Sequence, residues 1–142
     1  MVDKYRLEGT LIRHEGHHNV IYKDALGVPT VGVGRNVTRP FHDDEITLML
    51  RNDIAEALRS CEVGVKGFKE LNSDRQEVLV NMVFNLGWPR FSEFTLLRHF
   101  VFVQNFDRAA EEMLDSLWAD QVGKRAEELA RVMRTGRWDN GI

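Results

Sequence analysis

The chain has 142 residues, of which 43% are hydrophobic and 29% charged, and its formal net charge is −3. This composition provides a substantial core, and the nearly balanced charges argue against a disordered tail. The negative net charge argues against a nucleic-acid partner. The single cysteine, Cys61, excludes an internal disulfide and an all-cysteine zinc site, and is typical of folding in a reducing cytoplasm. The longest apolar run, residues 100–103, is too short for a membrane span, so we predict no membrane insertion, and we predict no signal peptide.

The first helix is predicted at residues 3–15. Leu7, Leu11 and Ile12 recur at helical spacing and form one apolar stripe. Gly16 follows, and glycine readily adopts the left-handed conformation that ends helices. Residues 1–40 carry six basic and four acidic side chains, whereas residues 41–142 carry thirteen and eighteen. This asymmetry indicates two surfaces with different roles.

A small β-hairpin is predicted next. Residues 20–23 are β-branched and aromatic, residues 24–29 have the composition of a turn, and residues 30–34 alternate valine with threonine and glycine. On the second strand, Thr30 therefore shares a face with Gly32 and Gly34, which have no side chains. That face could admit a ligand, or the glycines could mark a bulge.

Helical periodicity returns after Pro40. A long helix is predicted at about 42–60, with acidic residues near its N-terminus, where the helix dipole favours negative charge. Ser73 and Gln76 form a helix-start signature, and the following run to residue 86 is apolar nearly all round, which is typical of a central core helix. Further helices are predicted at about 90–103, 106–116 and 123–134. This order of elements predicts an α+β fold with a small strand lobe on a helical body.

Glu15 is the first candidate for chemistry. It lies on the apolar stripe with Leu11 and Ile12, where a carboxyl is expected to lose water, keep its proton near neutral pH and serve as a general acid. A salt-bridged or frayed glutamate at the helix end is the structural alternative. Glu8 lies on almost the same stripe, so geometry alone does not choose between the two.

Asp24 and the histidines near Glu15 have competing interpretations. Asp24 opens the turn of the hairpin, where an aspartate commonly caps backbone amides. The sequence His14-Glu15-Gly16-His17-His18 matches H-E-x-x-H, which binds zinc when both histidines share one helical face. Gly16 and the β-branched run after it argue against a helix through His18. A zinc peptidase using His14, Glu15 and His18 is therefore the alternative hypothesis.

Other conspicuous side chains have structural interpretations. The basic cluster near the C-terminus is expected to be a solvated face, and Cys61 a thiol without a neighbouring histidine to activate it. The aromatic residues at helical spacings are expected in the core, namely Phe84, Phe94, Phe100, Phe106 and Trp118.

A family resemblance connects these candidates. Glu15, Asp24 and Thr30 are separated by eight and five residues, and residues 11–35 resemble the catalytic segment of the phage-type lysozymes, or endolysin muramidases, with the sequence LIRHEGHHNVIYKDALGVPTVGVGR. Residues 81–87 (NMVFNLG) are similar to the central helix of that family. Arg125 and residues 134–139 resemble its C-terminal segment.

The resemblance implies a single, two-lobed lysozyme domain with a cleft between the lobes. The small lobe would cover about 13–42, the linking helix about 42–60, and the helical lobe 1–12 and 61–142. The implied activity is hydrolysis of the β-1,4 bond between N-acetylmuramic acid and N-acetylglucosamine in bacterial peptidoglycan. No metal and no cofactor are implied, and a monomer is expected.

The resemblance also implies residue roles. Glu15 would be the general acid, while Asp24 and Thr30 would hold and activate the attacking water. The carboxyl groups should lie roughly 6.5–9.5 Å apart if water attacks directly and about 5 Å apart if a covalent intermediate forms. The implied substrate-binding residues are Gly32, Phe84, Asn85 and Arg125.

Two further expectations concern context and departures from the family. The protein would accumulate in the host bacterial cytoplasm until lysis, reaching the cell wall through a holin-like pore or another export route, or as part of a virion. Arg35 replaces a histidine that pairs with an aspartate in the family, so we predict an ion pair between Arg35 and Asp53. The remaining alternative is a catalytically inactive descendant that still binds peptidoglycan.

Overall fold

The computed structural model describes residues 1–138, so Asp139, the last residue of the C-terminal resemblance, lies outside this range. The fold is α+β, as predicted, with a small antiparallel sheet and many helices. The chain divides into two compact units, the first from Met1 to Leu48 and the second from Met49 onward. Within the described range, no helix has both the length and the apolar character needed to cross a bilayer.

Helix α1 extends over Lys4–Glu15, in agreement with the prediction. Asp3 caps its start by accepting a 3.0 Å hydrogen bond from the Arg6 N–H, and Gly16 closes its end at φ 79°. Every residue of this helix is exposed or half-buried. Residues 1–12 therefore contribute no buried side chain.

The sheet contains the predicted hairpin and one additional strand. Strands β1 (His18–Lys23), β2 (Pro29–Gly32) and β3 (Arg35–Asn36) are antiparallel, with β2 in the centre. Thr30 pairs with Tyr22 of β1 and with Asn36 of β3. The sequence missed β3 because two residues are too short to show an alternating pattern.

Helix α2, Asp43–Gly64, begins as predicted and continues four residues beyond the predicted end at 60. The extension follows from packing, since Cys61 is fully buried and no glycine or proline precedes Gly64 in that stretch. At Gly64 a Cβ would lie 2.2 Å from the Trp88 ring, so the absence of a side chain lets the indole pack directly on the helix.

The second unit is helical. After one turn of 3-10 helix at Phe68–Glu70, it comprises α3 (Ser73–Leu86), α4 (Trp88–Phe91), α5 (Thr95–Phe102), α6 (Phe106–Leu114), α7 (Leu117–Val122) and α8 (Lys124–Thr135). Helix α3 packs against α4 and α8, and Val78, Leu79, Met82 and Val83 are buried along it. The prediction of a central core helix is confirmed.

Helix starts and breaks account for the main differences from the sequence prediction. Asn72, rather than Ser73, caps α3 by accepting a 2.9 Å hydrogen bond from the Arg75 N–H, since asparagine is at least as good a cap as serine. Gln76 donates to the Phe68 carbonyl instead of reaching back to the cap. The helix predicted at 90–103 is interrupted between α4 and α5, and α7 was not predicted.

Four of the five aromatic residues predicted for the core occupy it. Trp118 is 4% exposed, and Phe94, Phe100 and Phe106 are half-buried against the core. Phe84 is the exception, since it is 42% exposed. The core prediction for Phe84 is therefore wrong, because its face of α3 lines a groove.

Candidate functional site

Glu15 is the last residue of α1 and is exposed. The predicted desolvation of its carboxyl is therefore wrong. Leu11 and Ile12, which share its stripe, are themselves 43% and 46% exposed, so the stripe does not surround the carboxyl with apolar atoms. Gly16 ends the helix directly after Glu15 through a 2.8 Å hydrogen bond from its N–H to the Ile12 carbonyl.

The Glu15 carboxyl lies against the backbone of Gly34. A Cβ built at Gly34 would be 2.9 Å from both the carboxyl carbon and Oε2 of Glu15, a separation too short for real atoms. The contact joins the end of α1 to the turn between β2 and β3 within the first unit. The sequence identified Gly34 only as a residue without a side chain, and the structure shows which side chain uses that space.

Asp24 opens the turn between β1 and β2. Its Oδ1 accepts hydrogen bonds from the N–H groups of Leu26 and Val28, both at 2.9 Å. The structural interpretation of Asp24 as a turn cap is therefore confirmed. Within residues 1–138 these bonds all go to Oδ1, so the second carboxylate oxygen of the half-buried Asp24 is available for other chemistry.

Thr30 lies on the central strand and is 3% exposed. Its hydroxyl donates a 2.8 Å hydrogen bond to the Val28 carbonyl, while the Val28 N–H donates to Asp24. The backbone of Val28 therefore holds the side chains of both Asp24 and Thr30. At Gly32, on the same strand, a Cβ would meet nothing within 4 Å in the described part of the chain, so the predicted open face is present at this residue. At Gly34 the prediction is wrong, because Gly34 lies beyond the end of β2 and the Glu15 carboxyl occupies the space beside it.

The histidines near Glu15 do not share a helical face. Helix α1 ends at Glu15 and β1 begins at His18, so His14 and His18 belong to different elements. The helical context that H-E-x-x-H requires is absent here, which removes the basis of the zinc-peptidase alternative. Across residues 1–138, no group of three or more His, Cys, Asp or Glu side chains is arranged to hold a metal ion.

Arg35 pairs with a different acid from the one predicted. Its Nη1 lies 2.7 Å from Oε2 of Glu45, so the predicted pair with Asp53 is wrong. Glu45 lies in the first turn of α2, and its Oε1 also accepts a 2.8 Å hydrogen bond from the His42 N–H. The sequence gives no signal for this partner, because the choice of acid depends on which carboxylate the folded chain brings to Arg35.

A groove in the second unit contains two of the predicted substrate-binding residues. It has a volume of about 500 Å³, and Phe84 and Arg125 contribute to its lining. Arg125 is held by Asn81, whose Oδ1 accepts hydrogen bonds from Nε at 3.0 Å and Nη2 at 2.7 Å. The other lining residues are Leu50, Ile54, Leu58, Ser73, Gln76, Glu77, Val80 and Asn81.

Asn85 does not contribute to the lining of this groove. Its side-chain oxygen instead accepts a 2.8 Å hydrogen bond from the indole N–H of Trp118. The structure thus brings Phe84 and Arg125 together and gives Asn85 a partner in the core.

Comparisons with known proteins give the family. The sequence profile of the phage lysozyme family matches residues 12–135. The chain belongs to the phage lysozyme family, a class of lysozyme-type glycoside hydrolases. The matched range includes Glu15, Asp24, Thr30, Phe84 and Arg125.

Three relatives illustrate the range of proteins in which this sequence type occurs. The chain is 24% identical to the pre-baseplate central spike protein Gp5 of Enterobacteria phage T4, over 92% of the chain and 28% of the spike protein. It is 26% identical to a probable T4-type lysozyme of Dictyostelium discoideum, covering 86% of the chain and 89% of that protein. It is 29% identical to the endolysin of Salmonella phage P22, covering 76% and 77%. The chain therefore spans little more than a quarter of the spike protein and most of the other two.

Proposed function

We propose that this protein is an endolysin muramidase that hydrolyses the β-1,4 bond between N-acetylmuramic acid and N-acetylglucosamine in bacterial peptidoglycan. The observation that carries the proposal is the family match over residues 12–135, which spans Glu15, Asp24 and Thr30. The backbone of Val28, which contacts both Asp24 and Thr30, supports a joint role for these two side chains.

Glu15 acts as the general acid in this proposal and donates a proton to the leaving glycosidic oxygen. Its carboxyl is exposed in the protein without substrate, at the end of α1. The bound saccharide, rather than the apolar stripe of the helix, must therefore remove water from this carboxyl. Exclusion of water by the substrate strengthens every electrostatic interaction at the reacting bond.

Asp24 and Thr30 orient the attacking water. The Thr30 hydroxyl donates its hydrogen to the Val28 carbonyl, which leaves the hydroxyl oxygen as an acceptor. The Asp24 carboxylate keeps one oxygen outside the turn's hydrogen bonds to Leu26 and Val28. A water molecule that donates one hydrogen to each acceptor directs its lone pair at the sugar carbon, and Asp24 accepts the proton as the bond forms.

The predicted substrate contacts support the same activity. Phe84 exposes an aromatic face in the groove of the second unit, and Arg125 is fixed by Asn81. The open space at Gly32 admits a sugar ring close to the backbone of β2. In this proposal these residues bind the saccharide and take no part in the cleavage of the glycosidic bond.

We also propose that the activity serves host cell lysis, with access to the wall through a holin-like pore. The similarity to the P22 endolysin, which covers about three quarters of both chains, supports this context. The similarity to the T4 spike protein supports delivery with a virion as the alternative route. Two assays separate these routes. Lysis that begins only when a separate pore opens would support release through a pore, whereas wall degradation by purified virions would support delivery with the virion.

The test is Glu15→Gln assayed on purified peptidoglycan for new reducing ends, with Glu8→Gln on the same helix as the matched control. We expect Glu15→Gln to lose about 10²-fold or more of the activity and Glu8→Gln to retain it. Retained activity in Glu15→Gln would falsify the assignment. An unsubstituted protein that sediments with peptidoglycan but releases no reducing ends would support the inactive, peptidoglycan-binding alternative. Activity that is lost with EDTA and restored by zinc would contradict the whole mechanism.

A further inference from the structure

The turn between β2 and β3 is shaped around the Glu15 carboxyl. Gly34 has φ +68°, and a Cβ at this position would be 2.9 Å from Oε2 and 3.1 Å from Cγ of Glu15. The carboxyl therefore fills the volume that a side chain at Gly34 would occupy. The position of the Gly34 backbone limits where the carboxyl can lie.

The residue that follows this glycine is anchored to α2. Arg35 forms a 2.7 Å ion pair with Glu45, and its guanidinium lies 5.9 Å from the centre of the Phe41 ring. Glu45 is itself held by the 2.8 Å hydrogen bond from the His42 N–H to Oε1. Both carboxylate oxygens of Glu45 are thus engaged, one by the start of α2 and one by β3.

The pair is well placed to fix the turn. Strand β2 ends at Gly32 and β3 begins at Arg35, which pairs with Val31, so residues 33 and 34 form the connection between the strands. The Arg35 and Glu45 side chains are 37% and 32% exposed, and the hydrogen bond from Arg35, followed by that from the His42 N–H, lowers the pKa of Glu45 below its usual value of 4.5. The pair is therefore fully charged throughout the neutral range.

We propose that Arg35 and Glu45 are positioning residues for Glu15, acting through the backbone of Gly34; the inference rests on the proposed general-acid role of Glu15. The ion pair holds the first residue of β3 against the start of α2. Gly34 is thereby kept against the Glu15 carboxyl, which limits the orientations that the acid can adopt. A displacement of about 1 Å at a catalytic group can lower turnover by roughly 10²-fold, so a small movement of this turn is sufficient to be measured.

The first test is a double-mutant cycle with Arg35→Gln, Glu45→Gln and the double variant, assayed on soluble peptidoglycan fragments. We expect each single variant to lower kcat by roughly 10-fold or more with little change in KM, because the acid acts on the transition state. The double variant should lose no more than either single variant, since both remove the same anchor. Arg35→Lys, which keeps the charge, should restore most of kcat.

A matched ion pair provides the control. Arg108 and Glu111 are 3.3 Å apart on α6, within the second unit, and their side chains are 54% and 60% exposed. Arg108→Gln and Glu111→Gln should leave kcat unchanged. Additive losses in the Arg35 and Glu45 cycle, or losses no larger than in the control pair, would overturn the inference.

Gly34→Ala tests the contact itself. Gly27→Ala matches the backbone strain, because Gly27 has φ +83° and a Cβ there would meet nothing within 4 Å among residues 1–138. We expect similar decreases in melting temperature for the two variants and a loss of kcat in Gly34→Ala measured well below its melting temperature. Unchanged kcat in Gly34→Ala would contradict the inference.

The outcomes for this inference and for the proposed function are distinguishable. An active Glu15→Gln variant would refute the proposed function. An inactive Glu15→Gln variant together with fully active Arg35→Gln and Glu45→Gln variants would refute this inference alone.

Discussion

The indole N–H of Trp118 donates a 2.8 Å hydrogen bond to the side-chain oxygen of Asn85 and so joins α7 to the last turn of α3. Trp118 is 4% exposed, so its donor has little access to water. A buried donor that loses its acceptor carries the full cost of desolvation. Asn85, which the family resemblance presents as a substrate-binding residue, therefore also has a structural function.

Asn85→Ala is expected to destabilise the protein by about 1–3 kcal/mol, because the Trp118 N–H is left without its acceptor. Asn85→Asp retains an oxygen at the same position and should remain closer to the parent in stability. Urea unfolding of the two variants measures the difference. If Asn85→Ala unfolds like the parent but binds peptidoglycan more weakly, the residue serves binding and the hydrogen bond contributes little.

Arg75 connects the start of α3 to the end of α8. Its Nε donates to the Met133 carbonyl at 2.8 Å, its Nη2 donates to the Arg134 carbonyl at 3.0 Å, and its guanidinium lies 3.6 Å from the centre of the Phe106 ring. Burial lowers the pKa of the Arg75 guanidinium from its usual range. An arginine nevertheless stays charged at neutral pH. The charged guanidinium donates hydrogen bonds to carbonyl groups at the end of α8, which have no partners within the helix.

Arg75→Ala is therefore expected to lower the free energy of unfolding by about 1–3 kcal/mol, since it removes charge-assisted hydrogen bonds and a cation–π contact together. Arg131→Ala, an exposed arginine on α8, is the matched control and should unfold close to the parent. Thermal melts of both variants provide the comparison. Equal melting temperatures would show that the helix end does not depend on Arg75.

Local chemistry predicted much of the fold. The bounds of α1 followed from its stripe and from Gly16, and the position of α3 in the core followed from its apolar surface. The predicted helix boundaries and caps were wrong where contacts between distant residues determine the structure. Cys61 extends α2 by packing in the core, and Asn72 is preferred as a cap partly because its amide also donates to the Gly136 carbonyl at 2.7 Å.

The candidate site was less predictable than the fold. Spacing identified Glu15, Asp24 and Thr30 as candidates, because their separations match those in the catalytic segment of the phage-type lysozymes. The exposure of Glu15 was not predictable from its helical stripe, since a stripe buries a side chain only where another element covers it. The partner of Arg35 also depends on which acid the folded chain brings close, and that acid is Glu45.

The ion pair of Arg35 and Glu45 predicts a pH dependence of stability. Arg35, with the N–H and charge of His42, lowers the pKa of Glu45 below 4.5, so the carboxylate is favoured in the folded protein. The stabilisation is complete above pH 4.5 and is lost as the pH falls through the lowered pKa. The difference in melting temperature between the parent and Glu45→Gln should therefore be constant above this value and shrink below it. A difference that persists unchanged at strongly acidic pH would show that charge is not its cause.

Cys61 provides a probe of the second unit. It is fully buried, and burial together with the nearby charge of Glu62 raises the pKa of its thiol to about 12. At pH 8 only about one thiol in ten thousand is ionised, and the reactive thiolate is shielded from reagent. We expect the native protein to resist alkylation at pH 8 and to react at the rate of a free thiol in denaturant.

Val63→Cys in a Cys61→Ala background is the matched control, since Val63 lies on the same helix and is 86% exposed. Rapid labelling of native Cys61, at a rate near that of the residue 63 control, would show that the core around α2 opens readily.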